Sequence, residues 1–228
     1  MFSVAHRCRG KAPYQKECSP AGHRVTKRYA PATERNRAPL LAVLQSQLPA
    51  TGVVLEIAAG SGQHAAYFAP RLAPRLWLPT DAGAANLASI SEWCTEVDSE
   101  WLLPTQHLDV LDTVWAPEQQ ALPEPVSAIV NINMLHIAPW ACCHGLFAGA
   151  KRILEGEGVV LIYGPFKQNG QHTAASNEAF DANLRGENAN WGIRDIAAVT
   201  EVAGEAGFEW VEAIAMPANN QVLVFRPQ

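Results

Sequence analysis

No apolar run in the chain reaches the ~18–20 residues needed to cross a bilayer, because Pro, Asn or Gly interrupts each candidate. A soluble protein without a membrane partner is expected. Sustained polar tracts are also missing, and the 16 Gly and 16 Pro follow no period. Collagen, coiled coil and wholesale disorder are thereby excluded. Cysteine is sparse: Cys8, Cys18, Cys94 and the adjacent pair Cys142 and Cys143 match neither a zinc-pair spacing nor a disulfide framework. They read as buried thiols of a reducing compartment. The histidines His64, His107, His136, His144 and His172 are scattered, so no metal site is expected.

What is present is a chain of 228 residues, 48% apolar and 17% charged, enough for one sizeable core. Its charge is uneven. Residues 1–28 carry seven basic groups against one acid, Glu17, leaving ten basic and twenty-one acidic groups, a net of −11, in the rest. A body that negative repels a phosphate backbone, so no nucleic-acid partner is expected. The basic head has no apolar signal region, which disfavours secretion and points to the cytoplasm. It reads as a disordered extension, with a mitochondrial transit peptide as the alternative. Residues 29–228 are expected to form a single domain.

Along that domain, helix and strand patterns alternate. Residues 40–48 have helical spacing before Pro49, and Val53–Ile57 is a short buried strand opening into Ala58-Ala59-Gly60-Ser61-Gly62. A helix over residues 63–72 follows, then strand 76–81, with Pro79 suiting a strand end. Helix 84–97 comes next, and then a strand within residues 101–110 that finishes near Leu108-Asp109-Val110. Further on are strand 126–132, helix 144–154 and strand 159–163. Such alternation predicts a parallel, doubly wound sheet. Residues 164–195 are polar and too long for a routine connection, suggesting a functional lid. Helix 196–206 leads to strands 208–214 and 221–225, which are antiparallel because the link between them is short.

A Gly-rich turn after the first strand brings backbone close to a ligand and offers free N–H groups at the next helix. Two ligands fit that turn. Gly60-x-Gly62-x-x-Ala65 matches a dinucleotide fingerprint, while Glu56-x-Ala58-x-Gly60-x-Gly62 matches the S-adenosylmethionine loop with Ala at its first glycine. Asp81 can hold a ribose under either reading. Three features favour the methyl donor. Glu56 would repel a pyrophosphate but not a sulfonium. The amides Asn131 and Asn133 edge the fourth strand, and the terminal strand pair is typical of methyltransferases.

The chain resembles the class I S-adenosylmethionine-dependent methyltransferase superfamily, and more narrowly the methyltransferase-like protein 26 family. The resemblance covers residues 29–226. It is carried by Pro31-Ala32-Thr33-Glu34-Arg35-Asn36, residues 55–64, Asn131-Ile132-Asn133-Met134-Leu135-His136-Ile137, Tyr163-Gly164-Pro165-Phe166, His172-Thr173-Ala174-Ala175-Ser176-Asn177 and Met216-Pro217-Ala218-Asn219-Asn220. It implies a Rossmann-like fold with a seven-stranded, mostly parallel α/β sheet and an antiparallel C-terminal strand. It also implies a site for S-adenosyl-L-methionine, with Glu56 and the Ala58, Gly60 and Gly62 backbone at the methionine part. Asp81 would take the ribose, Asp109 and Val110 the adenine, and Asn131 would complete the floor. Ala58 permits the close turn only if its φ is negative.

For catalysis, His136 is the candidate base or acceptor contact, as neutral imidazole takes up protons near pH 7. Tyr163 is the second candidate, through its hydroxyl. Arg35, Asn36, His172, Asn177, Arg185 and Asn219 are candidate contacts to a small-molecule substrate, although Asn36 also suits a helix N-cap. An NAD-binding oxidoreductase and a non-catalytic interaction module are the competing classes.

Overall fold

Short β-branched runs alternating with amphipathic segments build one seven-stranded sheet in the computed structural model, which describes residues 27–154 and 156–228. The chain opens with α1 (Pro31–Gln47), β1 (Val53–Ile57), α2 (Gln63–Phe68), β2 (Leu76–Asp81) and α3 (Ala84–Val97). It continues with β3 (Gln106–His107), β4 (Val126–Ile132), α4 (Ala141–Ile153) and β5 (Val159–Gly164). An appended unit of β6 (Phe166–Gln168), β7 (Gln171–His172), α5 (Ala175–Glu187) and β8 (Arg194–Asp195) follows. Then come α6 (Ile196–Glu205), β9 (Phe208–Met216) and β10 (Asn220–Pro227).

The strand order is β3-β2-β1-β4-β5-β10-β9. Neighbours from β3 to β5 pair in parallel, whereas β10 runs antiparallel to both β5 and β9. Every residue of β1 and β5 is buried, as a central parallel strand covered on both faces requires. One face packs Leu55, Ile57, Ile129 and Leu223 against Phe147 of α4 and Val199 of α6. The other packs Val54, Val130 and Leu161 with Leu40 and Leu44 of α1 and Phe68 of α2. Each such side chain contributes about 1.5–3 kcal/mol by burial, which makes the sheet a stiff base for whatever sits on its strand ends.

Several expectations are revised. Helix α1 starts at Pro31 rather than near Pro39, which lies inside it, so Asn36 is helix interior and not an N-cap. Pro79 sits within β2, opposite Glu56 of β1, and β3 ends at His107 with Leu108, Asp109 and Val110 beyond it. Residues 164–195 are not an irregular lid. They form a three-stranded sheet, β7-β6-β8, and a 13-residue helix, α5. The periodicity is weak because a charge cluster rather than an apolar stripe organises this unit: Asp181 accepts from Lys167 Nζ at 2.9 Å, Arg185 Nε at 3.2 Å and the Ile193 N–H at 2.7 Å.

Residues 1–26 of the basic head lie outside the described residues, whereas Lys27 and Arg28 belong to the folded unit. Lys27 lies over the Trp93 ring and pairs with Glu96, the Arg28 N–H donates to Ser89 Oγ at 2.9 Å, and Trp93 Nε1 donates to the Arg28 carbonyl at 3.0 Å. Among the described residues no helix is long and apolar enough to cross a membrane.

Candidate functional site

Strand order reverses between β1 and β4, and a doubly wound sheet binds its ligands in the crevice at such a switch point. Here the chain leaving β1 makes a turn in which Ala58, Gly60 and Gly62 have φ of 57°, 59° and 89°. The negative φ expected for Ala58 is therefore corrected. The left-handed conformation costs an L-residue about 1–2 kcal/mol, and the surrounding bonds hold it: the Ala59 N–H donates to the Thr80 carbonyl at 2.8 Å and the Gly62 N–H to the Ala59 carbonyl at 3.1 Å. The Cβ direction at Gly60 is open, so backbone faces the crevice there.

Asp81, at the end of β2 and 5% exposed, closes the turn from the other side. Its Oδ2 accepts from the Gly60 N–H at 3.0 Å, and its Oδ1 from the Gly83 N–H at 2.8 Å and Asn86 Nδ2 at 3.0 Å. Asn131 at the end of β4 donates from Nδ2 to the Ile57 carbonyl at 3.1 Å, while its buried Oδ1 has no partner among the described residues. Asp109 accepts from the Leu111 N–H at 3.0 Å. Val110 is pressed against α4 so closely that a Cβ on Gly145 would stand 2.4 Å from its carbonyl oxygen.

Glu56 is 1% exposed and accepts from Trp77 Nε1 at 2.7 Å. Burial pushes its pKa up to about 8; the Trp77 bond pulls it down and the Asp81 charge adds to the rise. The repulsion expected between Glu56 and a pyrophosphate therefore loses force, since an acid with that pKa is mostly protonated at neutral pH. The folded protein holds this proton where the unfolded chain, with its ordinary carboxyl, has released it. Stability is accordingly expected to fall as pH rises from about 5 to 8, by at most about 1.4 kcal/mol per pH unit. Urea unfolding at a series of pH values should show this slope, and Glu56→Gln should remove it; an unchanged slope in the variant would place its origin elsewhere.

Beside the turn, three segments remote in sequence meet. Nε2 of His64 lies 2.8 Å from Oδ1 of Asn36, and the Asn36 side chain is near enough to the Tyr163 hydroxyl, at the end of β5, to influence its ionisation. His64 stacks on Phe68, and burial, then the Arg37 charge, lower its pKa to about 4. Burial raises the Tyr163 pKa, against the lowering influence of the Asn36 amide and the Arg35 charge. Arg35 itself is exposed.

His136 lies apart from this cluster. It is 1% exposed, faces Phe166 edge-on, and stands so near Gly164 that a Cβ there would be 2.2 Å from its Nε2. Neither ring nitrogen has a hydrogen-bond partner in good geometry among the described residues. Burial, with the Arg194 charge adding to it, lowers its pKa to about 3. The expectation of a base poised near pH 7 is thus not met by its surroundings.

The remaining substrate candidates divide into two groups. His172 Nε2 lies 3.3 Å from Asp181 Oδ2, and Arg185 pairs with the same carboxylate. Asn177 donates to Thr173 Oγ1 at 3.1 Å and to the Asn219 carbonyl at 3.0 Å, and Asn219 donates to Ser176 Oγ at 3.2 Å. That second group ties α5 to the β9–β10 turn.

Sequence reasoning quoted Gln63 and His64 within a motif but gave neither a site role, and it overlooked Asn86 and Ser89. Ser89 Oγ donates to the Ser61 carbonyl at 2.8 Å, and Gln63 Oε1 accepts from the Ala30 N–H, so both brace the turn. The position of His64 directly after the Gly-rich run was the available signal. A separate groove of about 730 Å³ is lined by Ile196, Thr200, Trp210, Ala213, Asp195 and Gln168, among others. Asp195 is already engaged there by the Gly170 and Ala197 N–H groups, and none of the residues around the Gly-rich turn line it.

A protein-family profile described as "protein of unknown function (DUF938)" matches residues 27–227. The chain belongs to the DUF938 family. The fold of this DUF938 protein recurs in solved structures. An O-methyltransferase family protein from Burkholderia thailandensis is 13% identical, with a TM-score of 0.69 over 86% of this chain and 57% of that one. The S-adenosylmethionine-dependent methyltransferase SibL, in its apo form, is 20% identical, with a TM-score of 0.68 over 86% and 56%. CalO1, a methyltransferase in calicheamicin biosynthesis bound to S-adenosylhomocysteine, is 16% identical, with a TM-score of 0.65 over 84% and 54%. The DUF938 protein thus has the Rossmann-like class I methyltransferase fold and spans little more than half the length of these proteins.

Proposed function

We propose that this protein is an S-adenosylmethionine-dependent methyltransferase acting on a small molecule, within the methyltransferase-like protein 26 group that its motifs resemble. The observation that carries the reading is the Gly60 N–H bonded to the Asp81 carboxylate across the switch point of the sheet. This contact sets a turn of close-lying backbone against an acid suited to a ribose diol. Two further features fit the donor. The orphaned Oδ1 of Asn131 faces no protein donor among the described residues, and the Cβ direction at Gly60 is unobstructed.

In this reading Asp81 holds the ribose, Asp109 and Val110 flank the adenine, and the backbone from Ala58 to Gly62 lies along the methionine part. Glu56 sits beneath that part, where a cationic ligand would favour loss of its proton. When bound, the donor supplies a methyl group activated by a positively charged sulfur. The protein's task is then chiefly alignment, since well-oriented encounters reach effective concentrations of ~10⁵–10⁸ M, while a general base adds roughly 10²–10⁴-fold.

Calorimetric titration of the full chain tests the reading. S-adenosylmethionine and S-adenosylhomocysteine are expected to bind with micromolar dissociation constants and NADH not to bind. Tight NADH binding with no response to either sulfur ligand would instead support an oxidoreductase. Donor binding without any labelled methyl product from a metabolite extract would support an interaction module.

A further inference from the structure

Two chains of hydrogen bonds leave Arg28 and end on opposite sides of the crevice. In the first, the Arg28 guanidinium donates to Asn86 Oδ1, and Asn86 Nδ2 donates to Asp81 Oδ1 at 3.0 Å. The amide can lie only this way round, since a guanidinium only donates and an ionised carboxylate only accepts. In the second, the Arg28 N–H donates to Ser89 Oγ at 2.9 Å, and that hydroxyl donates to the Ser61 carbonyl, inside the Gly-rich turn, at 2.8 Å. Arg28 therefore reaches both walls at one remove.

Asp81 shows what the first chain does. The Gly83 N–H and Asn86 bond its Oδ1 and the Gly60 N–H bonds its Oδ2. An ionised carboxylate has about four acceptor positions, which leaves about one, on Oδ2, for a ligand. Asn86 thus fixes how the carboxylate is turned about its Cβ–Cγ bond, and Arg28, bonded to the far end of the same amide, strengthens Nδ2 as a donor.

The segment that carries Arg28 is lightly held. Residues 27–30 are half-buried or exposed, with Tyr29 61% exposed. Lys27 pairs with Glu96 and lies over Trp93, Trp93 Nε1 donates to the Arg28 carbonyl at 3.0 Å, and the Ala30 N–H donates to Gln63 Oε1 at the start of α2. These are polar and cation–π contacts rather than core packing. A segment attached in this way opens at far lower cost than the buried sheet beneath it, so it can leave α3 while the fold stays intact.

Resting on the methyltransferase reading, we infer that residues 27–30 are a clasp whose docking on α3 sets the donor site, with Arg28 as its positioning residue. Through Asn86 it aims the open position of Asp81 Oδ2 at the ribose, and through Ser89 it holds the Ser61 carbonyl and with it the Gly-rich turn. Clasp docking and nucleoside binding then strengthen each other by the same factor, because such coupling is reciprocal. Donor affinity is accordingly under the control of the segment at the head of the domain.

Calorimetry on the full chain with S-adenosylhomocysteine, joined to brief trypsin digestion, tests the clasp. Arg28→Met is expected to weaken binding about fivefold or more, and Arg28→Lys, which keeps a cationic donor, by less. Asn86→Ala should weaken it to a similar degree. The double variant Arg28→Met with Asn86→Ala should lose no more than about twofold beyond the weaker single variant, because both substitutions cut one chain. Saturating S-adenosylhomocysteine should slow cleavage after Arg28 at least about fivefold more than cleavage after Arg185, which lies on α5 outside both chains. Unchanged affinity in folded Arg28→Met, losses that multiply in the double variant, or equal protection at the two cleavage sites would overturn the clasp and leave the methyltransferase reading standing. Failure of S-adenosylhomocysteine to bind the wild-type chain would overturn that reading and the clasp together.

Discussion

Asp81→Ala is expected to weaken S-adenosylmethionine binding by about 1.5–3 kcal/mol, roughly 10- to 150-fold in dissociation constant. The carboxylate has two tasks that alanine abandons together. It supplies the acceptor for a ribose hydroxyl, and it already holds the Gly60 and Gly83 N–H groups and Asn86 in place. Losing it frees the turn as well as the contact, so Asp81→Asn, which keeps the shape and one acceptor oxygen, should lie between the two. Calorimetry on variants with a native circular-dichroism spectrum measures the effect. An unchanged dissociation constant in folded Asp81→Ala would take Asp81 out of the site.

Gly62→Ala should carry the largest stability loss around the turn. At φ 89° an L-residue is strained by about 1–3 kcal/mol, and a Cβ there would stand 2.7 Å from the Ile90 Cα, a backbone atom of α3 that cannot swing aside. Overpacking of this kind adds about 1–3 kcal/mol. Because Gly62 leads into α2 and α3 carries Ser89 and Asn86, relief of the clash would also displace the groups that brace Ser61 and Asp81. A lowered urea midpoint with weakened donor binding is the expected pair of results. Wild-type stability in Gly62→Ala would show that the two helices adjust freely.

Much of the fold was legible because its signals are local. Val53–Ile57, Leu76–Asp81 and Val126–Ile132 were read with their observed bounds from apolar, β-branched composition and flanking breakers. The antiparallel ending followed from the short link between the last two strands. Boundaries failed where tertiary bonds compete with local preference. Helix α1 runs through Pro39 because its Leu40, Val43 and Leu44 are buried against the sheet, and the alanine at position 58 accepts a left-handed φ because flanking bonds hold the turn.

The appended unit was misread for a different reason. Its organising interaction is a carboxylate, Asp181, meeting Lys167, His172 and Arg185 from separate elements, and a charge cluster leaves no period in sequence. Polar residues there looked like loose substrate contacts, whereas several of them are paired with one another.

By itself the sequence determined the alternation that makes a parallel sheet, the Gly-rich turn at its first strand and the acid at the end of its second, because each is written within a few residues. Only the tertiary structure decided that Asn36, His64 and Tyr163 form one cluster, that His136 is enclosed, and that Glu56 is buried enough to keep its proton. Those outcomes depend on solvent exclusion and on the approach of segments as far apart in sequence as Asn36 and Tyr163, quantities that no local pattern encodes.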